Sequence, residues 1–429
     1  MKTCEQMEQA VPCPARAPRR VSFTAVVLGA TLGALSVASA RQLTERPLAD
    51  GALAHPAIGY FSRPTSDPVA ELSRRLDEDT TRLTFDENTG YLRSVLDALH
   101  VPVESQMLVM SKTGVQGLHT GPANPRAIYF NDSVTVGYIH GAPLLELAVH
   151  DPRQGVVFYT IDQKPQTRVA VDRPRSCLRC HQVYSTLHVP GMLARSVFIA
   201  PDGLPLGQFG SYDADDRTPF RRRWGGWYVT GTHGDMRHMG NAIVTDRDRP
   251  ETMISERTLN RTSLDGSFDA HAYLSPHSDI VALMVFQHQS HMTNLITRIG
   301  WEARIAAEER RLDFAAAPMR DVVDELVNYL LFVDEEPLTA PIKGTSGFAE
   351  RFASRGPADR RGRSLRQLDL ERRLLKYPCS FMIYSPAFGA LPGDVRHAIY
   401  RRMREVLAAR ADSQPIVDIL RDTLHDAAF

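Results

Sequence analysis

Cysteine is scarce in this 429-residue chain: five are present, at positions 4, 13, 177, 180 and 379. That is too few, and too uneven, for a disulfide framework. No second Cys-x-x-Cys pair accompanies the one at 177–180, so a four-ligand zinc site would lack half its ligands. Lysine is almost absent and nearly all the positive charge is arginine, which reads as base composition rather than function. Acidic residues balance it to a formal net charge of zero. Such a balance gives no electrostatic footprint for nucleic acid or for another strongly charged partner. Beyond the first forty residues no apolar run is long enough to cross a bilayer. No internal repeat is present. Length and ordinary hydrophobic content suit a globular chain of about two domains.

The first forty residues have their own pattern. Arg16, Arg19 and Arg20 precede an apolar stretch from Val21 to about Leu35, and Ala38-Ser39-Ala40 has the small-residue spacing of a signal-peptidase site. Residues 1–40 are therefore expected to be a signal peptide, with Arg41 starting the mature chain. The alternative is an uncleaved anchor, because the apolar stretch is nearly long enough to span a membrane. Either outcome puts the bulk of the chain outside the cytoplasm, in the periplasm or an equivalent compartment. Arg19-Arg20 alone is weak evidence for twin-arginine export. Cleavage would remove Cys4 and Cys13, and Cys379 is then expected to be a small buried hydrophobe.

The most informative residues are Cys177-Leu178-Arg179-Cys180-His181. C-x-x-C-H is the attachment signature of c-type haem. Two cysteines three positions apart on one helical turn present both sulfurs to the vinyl groups along one porphyrin edge. The following histidine supplies an axial imidazole nitrogen to the iron. A half zinc site or a thioredoxin-like redox pair are the competing readings; the second would require a βαβ context that the surroundings lack. The expected cofactor is one covalent haem c, held by Cys177, Cys180 and His181. With no disulfides, the fold is expected to rest on a hydrophobic core plus the buried porphyrin.

The pattern predicts an α+β chain. Residues 41–105 read as a helical segment, with Val69, Leu72 and Leu76 on one face and Leu92, Val95, Leu96 and Leu99 on another. Residues 106–275 form an antiparallel β-rich region carrying the motif. Its expected strands are Gln106–Ser111, Ala127–Asn131, Ser133–Ile139, Leu144–His150 and Gly155–Asp162. Asp151-Pro152-Arg153-Gln154 reads as a hairpin turn between the last two. Arg195–Ala200 and Leu206–Tyr212 flank a second turn at Pro201-Asp202-Gly203, and Trp227–Thr230 could add another strand. Residues 276–429 are expected to be mainly helical. They include a long helix from Asp279 to about Arg310 capped by Ser278, then helices at Asp321–Val333, Gly393–Ala408 and Pro415–Ala427. Arg351–Arg363 reads as a solvated loop.

One axial histidine leaves the sixth iron position to be assigned. Met, His or no protein ligand give, respectively, a higher-potential carrier, a lower-potential one, or a site open to small ligands. The segment from Trp224 to Asn241 offers Trp224 and Trp227 as a haem wall beside several glycines. It also offers His233, His238 and Met239 as ligands. The long helix interrupts its apolar sequence with Gln287-His288-Gln289-Ser290-His291-Met292, a polar knot that needs partners if buried. Met239 and His233 are the first candidate ligands, with His288 and Met292 as the helix alternatives. Met192 and His188 lie close behind the motif, where core packing is the expected role. Arg221-Arg222-Arg223 could meet haem propionates, or be a solvated basic turn.

The motif resembles that of c-type cytochromes, over five residues together with the export signal. The chain is several times longer than the small all-helical cytochromes c, and its motif lies among strands. It looks more like the large exported single-haem type. That resemblance implies covalent haem, His181 as proximal ligand and one-electron chemistry. The expected function is exchange of single electrons with a redox partner protein or a small molecule. A haem enzyme or gas sensor with an open or displaceable sixth site, peroxidase-like, is the alternative, with His288 as its distal acid–base group. A structural subunit stabilised by haem is the third reading.

Overall fold

A computed structural model describes Arg46, Leu48 and residues 51–424. The expected signal peptide, residues 1–40 with Cys4 and Cys13, lies outside the described residues. Among those described, no helix is long and apolar enough to cross a membrane.

The chain folds as an α+β protein, with an antiparallel sheet in its first half and helices in its second. Two helices open it, α1 (Pro68–Asp77) and α2 (Leu92–Ala98). Pro68 occupies the first turn of α1 and the Asp67 carboxylate accepts from the amides of Val69 and Ala70, a preorganised helix start. Strands β1 (Met107–Val109), β2 (Arg126–Phe130), β3 (Val134–Tyr138), β4 (Leu144–Asp151) and β5 (Gly155–Asp162) then form a meander. It is closed on its far edge by β8 (Trp227–Tyr228), giving the order β5-β4-β3-β2-β1-β8. The β4–β5 turn is the expected one: Asp151 pairs with Gly155, and the Asp151 carboxylate accepts from the amides of Arg153 and Gln154.

The motif helix α3 (Leu178–His181) follows the sheet. The second hairpin is shorter than expected. Its strands β6 (Arg195–Val197) and β7 (Ser211–Asp213) pair only at their outer ends, and Gly207–Phe209 turns as a 3-10 segment instead of extending.

Helix α4 (Ile280–Glu308) is the axis of the second half. Its cap is Asp279 rather than Ser278: the Asp279 carboxylate accepts from Val281 and Ala282 and from Thr345 and Ser346. Ser278 is used by the sheet, its hydroxyl donating to the Tyr228 carbonyl and accepting from the Leu108 amide. It thereby ties β8 to β1 at the entrance to α4. Around α4 lie α5 (Met319–Leu330), α6 (Phe348–Ala353), α7 (Pro386–Gly389), α8 (Gly393–Ala408) and α9 (Gln414–Thr423). Helix α6 takes the first residues of the stretch expected to be loop.

The sheet has two faces with different cover. Ala127, Tyr129, Val136, Leu145, Leu147, Val157 and Tyr159 join α1 and α2 in one closed hydrophobic cluster. On the other face Met107, Val109 and Phe130 join α4 and the C-terminal helices in a larger one. These two clusters hold most of the buried apolar side chains of the described residues. Cys379 is fully buried in the larger cluster, as expected, and burial pushes its thiol well up.

Candidate functional site

The Cys177–His181 motif sits on the second face of the sheet, at its β4–β5 edge. Ala148, Val156 and Phe158 form a small apolar patch there, and Cys177, Leu178 and Met192 pack against it. The alternation of the strands explains the patch: Ala148 pairs with Phe158, and both point away from the face that α1 and α2 cover. Cys177 is half-buried and Cys180 is exposed, and both are free thiols. A 3-10 turn at Arg175–Cys177 runs straight into α3, so both sulfurs lie on one continuous helical stretch.

His181 is held in one orientation. Its ring lies 4.7 Å from that of Phe158, and its Nδ1–H donates to the Gly191 carbonyl at 2.9 Å. The Gly191 amide in turn donates to the His181 carbonyl. This fixes the tautomer and leaves Nε2, the ring's lone-pair nitrogen, without a hydrogen-bond partner among the described residues. Burial lowers the affinity of His181 for a second proton, against the opposing effect of the Gly191 carbonyl. A neutral imidazole with Nδ1 anchored to a backbone carbonyl is the form that ligates a metal.

The anchor is itself clamped to α4. The Met192 amide donates to Asn294 Oδ1 at 3.0 Å and Asn294 Nδ2 donates to the Met192 carbonyl at 2.7 Å. A Cβ at position 191 would stand 2.1 Å from Asn294 Oδ1, so glycine is required there by close approach. Arg298, ion-paired to Glu302 inside the same helix, donates to the Leu187 carbonyl at 2.7 Å. Leu187 and His188 both have left-handed backbone conformations, unusual for non-glycine residues. The loop from the motif to Met192 is thus held at its middle and at its far end by buried polar groups of α4.

Two charged side chains act on the motif from the sheet. Glu146 on β4 and Arg126 on β2 face each other at 3.5 Å. Burial pushes the Cys177 thiol up and the Glu146 charge adds to it. The Arg126 charge contributes to the lowered His181. A thiol with raised pKa is a poor fit to a redox cysteine pair, which depends on a stabilised thiolate. Among the described residues no group of three or more His, Cys, Asp and Glu is arranged to hold a metal ion.

The other sequence candidates lie in several places. Met239 packs with Phe198, Ala200 and Val244 in a separate small cluster, its sulfur 3.7 Å from the Ser196 hydroxyl. His233 and His238 share a buried aromatic group with Phe220 and Trp224, ring centres 4.7 Å apart between the two histidines. There His233 Nε2 accepts from the Asn260 amide, while His233 Nδ1 and Trp224 Nε1 are buried without partners. Trp227 donates its indole N–H to the Arg195 carbonyl.

His288 is fully buried, with Nδ1 on Asp216 at 2.5 Å and Nε2 on the Ser380 hydroxyl at 2.7 Å. Within the polar knot of α4, His288 and Gln289 find partners inside the protein, whereas Gln287 Oε1 is buried without one among the described residues. Met292 is fully buried in the large core cluster. None of Met239, His233, His288 and Met292 belongs to the patch that holds Cys177, whereas Met192 does. Met192 also lines two narrow clefts against α4, each of about 20 Å³, room for about one water. Arg223 is buried on the carbonyls of Thr218 and Asp216, and Arg222 stacks over Tyr212; Arg221 is exposed.

Sequence reasoning did not single out Phe158, Asn294, Arg126 or Glu146. Asn294 left no distinct signal, because His291, Thr293, Thr297 and Arg298 make its stretch of the helix mixed in polarity. No protein family, no curated protein and no solved structure matches this chain.

Proposed function

We propose that this chain is an exported monohaem c-type cytochrome that exchanges single electrons with a redox partner protein or a small-molecule donor or acceptor. The observation that carries this reading is His181. Its Nδ1 is tied to the Gly191 carbonyl and its Nε2 has no hydrogen-bond partner among the described residues, directly after two free cysteines at attachment spacing. Cys177 and Cys180 would hold the porphyrin through thioethers and His181 would ligate its iron. When bound, the haem supplies a one-electron redox centre. The chain's own contribution is to fix the ligand ring through Phe158, Gly191 and Asn294 and to set the local charge through Arg126 and Glu146. Exposure of Cys180 supports a cofactor edge within reach of a partner. The clefts beside Met192 are far too small for a porphyrin, which supports a cofactor on the half-exposed side of the motif. A haem-stained denaturing gel of protein made with a haem-attachment system tests this. A stained band that disappears in Cys177→Ser/Cys180→Ser is expected, and an unstained wild-type band would end the reading.

The alternative, a haem enzyme or gas sensor with an open sixth site, is favoured by one observation: three of the leading sixth-ligand candidates are engaged elsewhere, His288 through both ring nitrogens and Met239 and Met292 inside other hydrophobic clusters. Rapid carbon monoxide binding to the ferrous protein would support it. A low-spin spectrum unaffected by the gas would instead support electron transfer with Met192 as the first ligand to test.

A further inference from the structure

A cavity of about 450 Å³ opens in the helical half, between α5, the turn that follows it and the C-terminal end of α8. That volume is in the range of small-ligand sites, and the cavity shares no residue with the motif's patch. Phe332, Val333, Pro337, Val406 and Ala409 give it an apolar wall. Phe332 is the fixed part of that wall. Its ring stacks on His288 at 4.6 Å and 14°, and His288 is itself held through both ring nitrogens by Asp216 and Ser380. Phe332 also has a left-handed backbone, with φ of 54°, a conformation that bulky residues rarely adopt. Strain of this kind recurs where a ligand is clamped.

The arginines on the wall are paired with one exception. Arg372 pairs with Asp369, Arg402 with Asp324 and Glu405, and Arg410 with Asp412 and the Leu331 carbonyl. Asp334 is also engaged. Arg373 lines the cavity and makes no side-chain hydrogen bond or ion pair among the described residues. Its loop is nevertheless fixed, because the Leu338 amide donates to the Arg372 carbonyl and the Leu370 amide to the Arg373 carbonyl. Glu335 is the nearest opposing group. It accepts from the Leu374 amide, and burial raises its carboxyl to about 7, so at neutral pH it carries only part of a charge. One uncommitted guanidinium therefore stands beside an apolar wall.

We propose that this cavity binds a small carboxylate with an apolar body, the carboxylate on Arg373 and the body against Phe332 and Val406. A guanidinium matches a carboxylate in geometry and charge. A phosphate dianion fits less well, because it would bring two charges to one free cation with Glu335, Asp334 and Glu405 on the same wall. The site is independent of the haem reading.

Equilibrium binding of benzoate and hexanoate to the full chain at pH 7, followed by ligand-observed NMR, tests the inference. Inorganic phosphate and benzyl alcohol are the controls. Saturable one-site binding of at least one carboxylate is expected, with both controls about tenfold weaker or worse. Arg373→Leu should weaken carboxylate binding about tenfold by removing the charge-assisted pair, and Arg373→Lys should restore part of it. Val406→Phe should abolish binding by filling the cavity, with thermal unfolding confirming that each variant is folded. If Val406→Phe fails to fold, Arg373→Leu decides. Failure of both carboxylates to bind the wild-type chain, or unchanged binding in Arg373→Leu, would overturn the inference. Phosphate binding as tightly as the carboxylates would overturn it as well.

Discussion

Gly191 carries three constraints in one residue. Its carbonyl orients His181, its amide closes the loop back onto α3, and its missing side chain admits Asn294. Gly191→Ala should therefore push Asn294 away and loosen the loop, costing about 1–3 kcal/mol. Asn294→Ala should cost a similar amount by leaving the Met192 amide and carbonyl without partners. Chemical denaturation of both variants and their double mutant checks this. Additive losses would show that the two residues do not share one clamp. Cys177, Cys180 and His181 stand out in the sequence because their spacing is the one that haem attachment would require. Gly191 and Asn294 do not, because their significance lies in a contact between segments 103 positions apart in number. Likewise, His288 looked like a ligand in sequence because a histidine in an apolar helix needs partners. Its partners, Asp216 and Ser380, come from distant parts of the chain.

Among the elements, β1–β5 were legible because alternation and β-branched residues mark them and the Asp151 turn punctuates the last pair. The short β6–β7 ladder was overdrawn because a run of apolar residues does not distinguish a strand from a 3-10 turn. The α4 cap shifted by one residue because Ser278 and Asp279 are both good caps. Tertiary demand decides between them: Ser278 stitches β8 to β1, so Asp279 caps. Asp279→Ala removes the α4 cap and the acceptor for Thr345 and Ser346, and should cost about 1–3 kcal/mol. Ser278→Ala should instead loosen the β1–β8 junction. Hydrogen exchange separates the two: faster exchange at Val281 and Ala282 in the first variant, and at Leu108 in the second. Equal exchange at all three sites in both variants would contradict these assignments.

Across the whole molecule, two large hydrophobic clusters hold most of the buried apolar side chains of the described residues, and no disulfide joins the free cysteines Cys177, Cys180 and Cys379. If haem completes the core, Cys177→Ser/Cys180→Ser should be destabilised and accumulate poorly. Accumulation of that variant at normal levels with cooperative unfolding would show that haem is not part of the core. Acid–base behaviour should also be visible. Burial, reinforced by Asp216, raises Glu335 to about 7, against the Leu374 amide and the charges of Arg373 and Arg223. Because the folded pKa lies above the ordinary glutamate value, the folded state holds the extra proton between about pH 4.5 and 7. The associated stability is full below that window and is lost as pH rises through about 7. Allowing for solvent screening of a half-buried group, it amounts to about 1–2 kcal/mol. Glu335→Gln should flatten unfolding free energy across the window, and an unchanged slope would contradict this.

The central claim is that Cys177, Cys180 and His181 hold one haem. Intact-mass and absorption measurements on the wild-type chain, produced with a haem-attachment system, test it most directly. A mass increased by one haem and retained after denaturation is expected, with both thiols of the motif consumed and the ferrous spectrum of a two-thioether haem. An unmodified mass with Cys177 and Cys180 still reactive to a thiol reagent in the unfolded protein would contradict it.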